Sequence, residues 1–522
     1  MYKIGFQNFR KFIDFNPIEY RGITLLVGRN NSGKSTIVKA LLLINEYFKS
    51  GDFSKFHFGD RSIENANIVT FGRAKNASSN VNSIKFFYQF DKFQIDIHLT
   101  GNIDNTYANV ISLDIFDSEN SFKYQIKPIE GIVYLSRLAQ FNEKDRDRFE
   151  NQEPYWLEYL KLEAALNSTK LKNSSKEYLE LVDKMNSMKA RLDNLNDLEK
   201  ELNLYRFDFN KNKDFSIYKV SSDFSETFDI KSLITHLVEE TVIWHDHEFP
   251  QIQNNKEPSE NFEDYRGVKL DADKILNSIE EFNMYTTHSN LVYIAAQTTK
   301  QSAIFLIRDK QNPLAQAIHE FYQSRITKGE KAFQFIEKWI KRFEIGDSFE
   351  IKLYGGEAYE VRIISGKEKI SLSDKGMGSL QAMTILLRIS SLIQLISTRK
   401  WISTYEFSSD FNFSTVVIEE PELNFHPALQ SLLADLFYEV YSVYKINLIV
   451  ETHSEYLVRK TQLIVKENEL EIKPNDNPFC VFYFDTDLKQ KEMPYREDGK
   501  FIEEFGTGFF DETRKIVKKM ME

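Results

Sequence analysis

Residues 28–36 read Gly-Arg-Asn-Asn-Ser-Gly-Lys-Ser-Thr, and an apolar run at residues 23–27 comes directly before them. A second apolar run with helical character, residues 37–48, follows at once. This order of strand, glycine-rich loop and helix is that of a phosphate-binding P-loop, in which backbone N–H groups and a helix N-terminus face an anion. The stretch therefore predicts an α/β fold with a nucleoside-triphosphate site.

The individual positions of the loop predict separate contacts with ATP and Mg²⁺. Gly28 and Gly33 allow the backbone to turn tightly around the phosphates, and Lys34 reaches the β- and γ-phosphates. The hydroxyl of Ser35 is placed to bind Mg²⁺. The other loop residues predicted to contact the nucleotide are Asn30, Asn31, Ser32 and Thr36.

Composition limits the other possibilities. The 522 residues are 42% hydrophobic, which is typical of a folded protein with a large core, and the length suggests two to four lobes. A net charge of −11 argues against a broadly basic nucleic-acid coat and leaves room only for a local basic groove. Neither a signal peptide nor a long uncharged apolar window is evident, so we expect a cytoplasmic protein without a membrane partner.

The single cysteine, Cys480, excludes an intrachain disulfide framework and a cysteine-rich metal site. It lies in the apolar run at residues 479–482. We interpret it as a buried packing residue.

Two later strands predict the hydrolytic half of the site. Residues 415–427 begin with an apolar strand that ends in two adjacent acids, Glu419 and Glu420. Hydrolysis needs a carboxylate near the metal and a group that polarises the attacking water, and we assign these roles to Glu419 and Glu420 respectively. Residues 447–454 contain another apolar strand, and His453 lies at its end. A histidine there suits a sensor of the γ-phosphate, although a lone histidine is also compatible with a structural role.

A second glycine-containing helix start lies between these blocks, at residues 371–381, and a long apolar helix at residues 382–397 follows it. Glycines at a helix N-terminus make another anion-binding position. One chain does not need two such positions for one nucleotide.

In this order the blocks resemble the ABC-type ATPase heads of SMC and RecF proteins. They are more similar still to bacterial AAA-family ATPases of the overcoming-lysogenization-defect and DUF types. The resemblance covers about residues 1–50, with Arg10 in the opening 8–12 stretch, and 290–522, where residues 505–512 resemble an uncharacterised C-terminal domain. It implies that Arg10 contacts the nucleotide.

The resemblance also implies a homodimer, or a higher oligomer, that sandwiches ATP. The signature of one subunit would complete the site of another, through Gly376, Gly378, Ser379 and Gln381. Two departures leave the hydrolysis rate open: Gly376 stands where the signature serine is usual, and the first acid after the strand is Glu419 rather than aspartate. Relatives of this kind act on DNA or in anti-phage defence, often with a separate nuclease or other effector.

The predicted architecture is an α/β P-loop NTPase head of ABC/SMC type, split by a β-rich segment and a short coiled-coil hairpin. The predicted divisions are an N-terminal ATPase lobe with an antiparallel sheet (1–150), the hairpin (151–206), a mixed region (207–350), a C-terminal ATPase lobe (351–470) and an extension (471–522). The hairpin is predicted from apolar residues spaced by threes and fours between 157 and 205. A plain pair of amphipathic core helices is the alternative.

Two other functions remain as alternatives. A self-contained nuclease is suggested by the acidic pair in residues 485–487, although only about 70 residues follow His453. A transporter ATPase subunit is disfavoured because more than 300 residues separate the P-loop from the signature.

Three further features have weaker interpretations. Residues 244–247, Trp-His-Asp-His, are interpreted as a surface loop because adjacent ligands seldom build a metal site. The basic stretch at 514–519 suits either a phosphate backbone or a solvated helix face. Gln297 is a candidate for the Q-loop glutamine of ABC-type heads.

Overall fold

The computed structural model describes residues 2–59, 67–128, 132–137, 184, 203–208, 260–296, 302–402, 414–471, 477–485, 488, 490–506 and 511–521. The strands are β1 (Tyr2–Phe9), β2 (Phe12–Tyr20), β3 (Ile23–Gly28), β4 (Lys55–His57), β5 (Ser83–Phe90), β6 (Phe93–Thr100), β7 (Tyr107–Asp117), β8 (Phe122–Lys127), β9 (Ile132–Arg137), β10 (Asn203–Asp208), β11 (Asn290–Ile294), β12 (Phe305–Leu306), β13 (Ser348–Tyr354), β14 (Ala358–Ser365), β15 (Glu368–Ser371), β16 (Ser414–Glu419), β17 (Asn447–Thr452), β18 (Phe479–Phe484) and β19 (Gln490–Glu492). The helices are α1 (Lys34–Ser50), α2 (Phe71–Ala74), α3 (Glu260–His288), α4 (Pro313–Gln323), α5 (Lys331–Arg342), α6 (Met377–Ile402), α7 (Pro427–Tyr444), α8 (Glu455–Glu467) and α9 (Glu512–Met521).

A central six-stranded sheet carries the P-loop, in the order β11-β16-β17-β3-β18-β19. The first five strands are parallel and β19 is antiparallel to β18. All six residues of β3 and all six of β18 are buried, as expected for strands covered on both faces. The carboxyl ends of the parallel strands therefore meet at one edge, where the P-loop begins.

Side-chain alternation along β3 divides the interior into two cores. Ile23, Leu25 and Val27 pack on the side of α4 to α8, whereas Leu26 packs on the side of α1 and the antiparallel sheet. The same strand that positions the P-loop thus joins both cores.

The nine-stranded antiparallel sheet has the order β10-β9-β8-β7-β6-β5-β1-β2, and β4 pairs with β7. It packs on α1 and α3 through aromatic side chains, which include Phe282 of α3. Within the sheet, Phe86 stacks on Phe56 at a ring-centroid distance of 5.2 Å. Strands β12 to β15 form a separate small sheet, which packs in the core that contains α4, α5 and α6. The chain passes from β2, in the large sheet, directly into β3 of the central sheet.

Several sequence expectations are confirmed by these elements. Strands β5 to β9 occupy the predicted antiparallel region, α6 contains the long apolar run, and β13 and β14 flank the predicted turn at residues 355–356. Nearly all of the predicted hairpin at 151–206 lies outside the described residues, as do residues 244–247 and Gln297. Strand β18, from the segment that we assigned to the C-terminal extension, is an interior strand of the central sheet beside β3.

Among the described helices, one segment, Met377–Thr398 of α6, is long and apolar enough to cross a membrane by length and composition alone. About 67% of its apolar window is buried inside the protein. The segment packs against α4 and α5, so its apolar character is accounted for by the core.

Candidate nucleotide-binding site

The P-loop lies between β2 and β18, and residues of these two strands leave no room for side chains at its glycines. Gly33 (φ 100°) and Gly28 (φ 142°) both have left-handed backbone conformations, which L side chains rarely adopt. A Cβ atom at Gly33 would clash with the Phe12 ring of β2, and one at Gly28 would clash with the carbonyl oxygen of Phe484 in β18. The Arg29 N–H also donates to Phe484 O at 3.3 Å, so β18 abuts the start of the loop.

The turn between β1 and β2 contacts the P-loop and supports it. Lys11 Nζ donates to Asn31 O at 2.6 Å and also to Asn31 Oδ1. Arg10, in the same turn, has φ 50°, and its N–H donates to Ala74 O at 2.6 Å. Burial lowers the pKa of Arg10, and the charge of Glu419 opposes that shift. The predicted Arg10 thus lies in the electrostatic range of the predicted metal-site carboxylate.

The remaining predicted loop residues differ in exposure. Ser32 and Thr36 are buried, whereas Asn30, Asn31 and Ser35 are exposed. Their contact with a nucleotide remains a prediction.

Lys34 lies at the centre of the site and is only 3% exposed. Its Nζ donates to Gly28 O at 3.2 Å and to Arg29 O at 3.0 Å, and it lies 3.8 Å from Glu451 Oε1. Burial lowers the pKa of Lys34, while the charges of Glu451, Glu420 and Glu422 raise it. One buried cation therefore faces several carboxylates. A bound phosphate would pair with the cation, and a bound metal ion would pair with carboxylates.

Two carboxylates lie side by side at the ends of β16 and β17. Glu419 pairs in register with Glu451, which in turn pairs with Leu26 of β3. Glu419 Oε2 accepts a hydrogen bond from the Tyr293 hydroxyl of β11 at 2.8 Å. Glu451 Oε1 accepts one from Ser35 Oγ at 3.1 Å. Burial and the Glu419 charge raise the pKa of Glu451 to about 7, against the opposing effects of Lys34 and Ser35.

Glu420 and His453 approach each other beside Lys34. Glu420 has φ 44°, and its N–H donates to Glu451 O at 2.7 Å, which fixes this unusual backbone. Its Oε1 lies 3.8 Å from His453 Nε2. Burial, together with the Lys34 charge, lowers the pKa of His453 to about 4, and a hydrogen bond to the Gly28 backbone opposes the shift. The imidazole is therefore neutral near pH 7.

The predicted signature lies at the start of α6 and its residues differ in accessibility. Gly376 is exposed, and no described atom lies within 4 Å of where its Cβ would project. A Cβ at Gly378 would lie 2.8 Å from Asn424 O, so this position packs against the segment after β16. Ser379 is half-buried, and its N–H donates to Gly376 O at 2.9 Å.

Gln381 differs from the other signature residues because it is only 2% exposed. Its Nε2 has no hydrogen-bond partner among the residues that the structure describes. In this conformation the side chain faces the interior of its own subunit and is not available to a second copy.

The residues at this edge fit ATP and Mg²⁺. Lys34 and the N-terminus of α1 suit phosphate oxygens. The Ser35 hydroxyl and a buried Glu451 oxygen, Oε2, which has no hydrogen-bond partner among described residues, suit a hard cation. Mg²⁺ commonly takes only one or two protein ligands and completes its shell with phosphates and water.

Sequence reasoning did not select Glu451 or Tyr293. A signal for Glu451 existed, because it is the only charged residue in the strand at residues 447–452. Tyr293 gave no comparable signal, since a tyrosine in a β-strand is ordinary.

Comparison with known proteins identifies a family. The family model described as an AAA ATPase domain matches residues 1–458. No curated protein matches the chain.

Solved structures of SMC heads give weak likenesses. The Smc head of Pyrococcus furiosus, with an extended coiled coil and bound to the C-terminal domain of ScpA, is 12% identical with full coverage of both chains and a TM-score of 0.32. The SMC head of Thermotoga maritima is 10% identical, with 95% of this chain and 98% of that chain covered and a TM-score of 0.35. These scores are too low to support any functional comparison.

The assignment rests instead on the family match and on the parallel sheet that converges on the P-loop. Both confirm the coarser fold class predicted from the sequence, an α/β P-loop NTPase. The chain belongs to the AAA ATPase domain family and is an ATP-hydrolysing enzyme.

Proposed function

We propose that this ATPase is a conformational switch in which ATP closes two copies head to tail and hydrolysis lets them open. The observation that carries the proposal is the difference between two helix N-termini that suit anions, that of α1 at the P-loop and that of α6. The P-loop residues meet Glu420 and His453 within one chain, whereas Gly376 at the start of α6 is exposed and faces open space. An exposed helix start suits the nucleotide of a second subunit.

In this proposal the residues around Lys34 divide the chemistry. Lys34 leaves its carbonyl partners to bind phosphate oxygens, and Arg10 adds positive charge near the same edge. The Glu420 carboxylate, which is half-buried and reachable by water, accepts the proton of the attacking water. The neutral His453 imidazole reports whether a γ-phosphate is present. Ser35 and a carboxylate at this edge would hold Mg²⁺, which would supply positive charge to the phosphates.

In the closed dimer, Gly376, Gly378 and Ser379 of one copy would approach the triphosphate of the other. Because Gly376 has no side chain, contact would depend on backbone N–H groups at the start of α6. Differential affinity of ATP for the closed state supplies the free energy of the switch. Gln381 is left out of this set because its side chain is buried.

We further propose that the switch acts on a separate effector, a nuclease being the class that the sequence resemblance implies, in a DNA-related or anti-phage role in the cytoplasm. The sequence resemblance supports this proposal. For the alternative of a self-contained nuclease, the acidic stretch after β18 is relevant, but Asp485 follows a strand that pairs with the P-loop strand β3. That placement favours a structural role for β18 within the ATPase head.

The test is the Glu420→Gln variant. We expect it to bind ATP with near wild-type affinity, because the contact with phosphate is made by Lys34, and to lose at least about a hundredfold in turnover. ATP should then hold it as a dimer, which solution mass with and without ATP would detect.

The matched control is Glu357→Gln, at an exposed turn position. It should leave turnover and solution mass unchanged. Normal turnover by Glu420→Gln would place the base elsewhere, and an inactive variant that stays monomeric with ATP would refute the dimer.

A further inference from the structure

We propose that Glu451, and not the predicted Glu419, is the carboxylate that binds the nucleotide's Mg²⁺ together with Ser35. The inference deepens the proposed function and rests on the ATP site at the P-loop. Binding of the ion would also release Lys34 for the phosphates.

The strand order places Glu451 nearer the P-loop than Glu419. β17 lies between β16 and β3, and Glu451 is in register with Leu26 on one side and with Glu419 on the other. Neighbouring strands are about 4.8 Å apart, so Glu451 is closer to the P-loop strand by roughly that distance. Side chains in register on parallel strands leave the sheet at the same level.

The contacts of Glu451 are those of a metal-site carboxylate. Its Oε1 accepts a hydrogen bond from Ser35 Oγ at 3.1 Å, and Ser35 is the loop hydroxyl that a P-loop uses for Mg²⁺. The residue is only 6% exposed, and its Oε2 has no hydrogen-bond partner among described residues. A buried carboxylate oxygen without a partner is costly, and a divalent cation would satisfy it.

Glu419 is occupied differently. Its Oε2 accepts a hydrogen bond from the Tyr293 hydroxyl at 2.8 Å, which ties it toward β11, on the side away from the P-loop strand. Its charge acts on two half-buried cations, Arg10 and Lys39. Glu419 therefore acts as a positioning residue that holds positive charge at this edge.

The ion pair between Lys34 and Glu451 links metal binding to nucleotide binding. Lys34 Nζ lies 3.8 Å from Glu451 Oε1 and is held by two loop carbonyls. A cation that takes over the Glu451 carboxylate removes one attraction that keeps Lys34 in this position. Mg²⁺ and nucleotide should then strengthen each other's binding by the same factor, as linkage requires.

The experiment compares Glu451→Gln with Glu419→Gln in the full chain. Affinity for methylanthraniloyl-ADP is measured by fluorescence with Mg²⁺ and with EDTA, and affinity for Mn²⁺ in the presence of ADP is measured by electron paramagnetic resonance. We expect Glu451→Gln to weaken Mn²⁺ binding by about tenfold to a hundredfold and to lose most of the Mg²⁺ effect on nucleotide affinity. Glu419→Gln should keep most of both.

A second variant guards against a folding defect. Glu451→Asp keeps the charge but shortens the side chain, so it should bind Mn²⁺ with intermediate affinity while its thermal unfolding stays close to wild type.

The outcomes separate the two proposals. If Glu419→Gln loses more Mn²⁺ affinity than Glu451→Gln, or if neither variant loses any, the assignment of Glu451 is wrong although the ATP site stands. If the wild-type protein binds no nucleotide at all, the proposed function fails first.

Discussion

The P-loop edge and the start of α6 are both helix N-termini with glycines, yet they are built in opposite ways. At the P-loop edge, buried Lys34 is surrounded by acids from the ends of two neighbouring strands. Phe12 and Phe484 lie close to the two glycines of the loop. At the start of α6, Gly376 is exposed and has open space around it. The first region therefore has its contacts within one chain, whereas the second is an exposed helix start.

The largest effect is expected at the P-loop edge, from Lys34→Met. Removing a charge-assisted contact with phosphate should weaken ADP binding by about a hundredfold or more. Fluorescence titration with methylanthraniloyl-ADP measures this, and Lys49→Met, at the exposed end of α1, is the control. Equal affinity of the Lys34 variant and wild type would show that the buried lysine does not contact the nucleotide.

The next effect tests whether the α6 start works in trans. Gly376→Trp places a bulky side chain in open space, so the subunit should fold and bind ADP but lose most ATP turnover. Mixing it with Lys34→Met should restore about a quarter of wild-type turnover, because half of the dimers then contain one intact composite site of two. A mixture as inactive as its components would contradict a shared site.

A smaller effect separates Gly378 from Gly376 in stability. Gly378→Ala brings a Cβ to 2.8 Å from Asn424 O, which should lower the free energy of unfolding by about 1–3 kcal/mol. Gly376→Ala meets no atom, and its unfolding free energy should stay within about 0.5 kcal/mol of wild type. Chemical denaturation of the two variants measures both values, and equal losses would mean that the two glycines are equally packed.

The smallest effect concerns Cys480 on β18, which supports the P-loop strand. Burial and the neighbouring Glu492 raise the pKa of this thiol to about 12, and the residue is 4% exposed. Iodoacetamide should therefore leave the native protein unlabelled at pH 8, and raising the pH from 7 to 9 should not speed labelling, because the thiolate forms only at higher pH. Mass spectrometry checks this, with urea-unfolded protein as the positive control; rapid native labelling would mean that β18 detaches from β3.

Local sequence predicted the parts of this molecule whose chemistry is contiguous. The P-loop, the antiparallel region and the buried Cys480 were each specified by neighbouring residues, and the structure contains them. The fold class and the ATPase family are also confirmed. The roles assigned to Glu420 and His453 remain predictions, although the structure brings them to 3.8 Å.

What sequence could not predict depends on strand order. Glu419 and Glu451 both end apolar runs, and nothing local indicates which strand lies next to β3. The hydrogen bond from Tyr293 to Glu419 joins residues that are 126 positions apart. For the same reason β18 was assigned to an extension rather than to the sheet, because pairing between strands far apart in sequence leaves no periodic trace in either one.

The position of β3 between β17 and β18 has a consequence for biosynthesis. The P-loop strand emerges from the ribosome long before its two partners, which begin only at Asn447 and Phe479. At ordinary translation rates of about 5–20 residues per second, the strand waits roughly 20 to 90 s with both hydrogen-bonding edges bare. Such an apolar segment is a natural client for chaperones, and the yield of native enzyme should depend on how fast its message is translated.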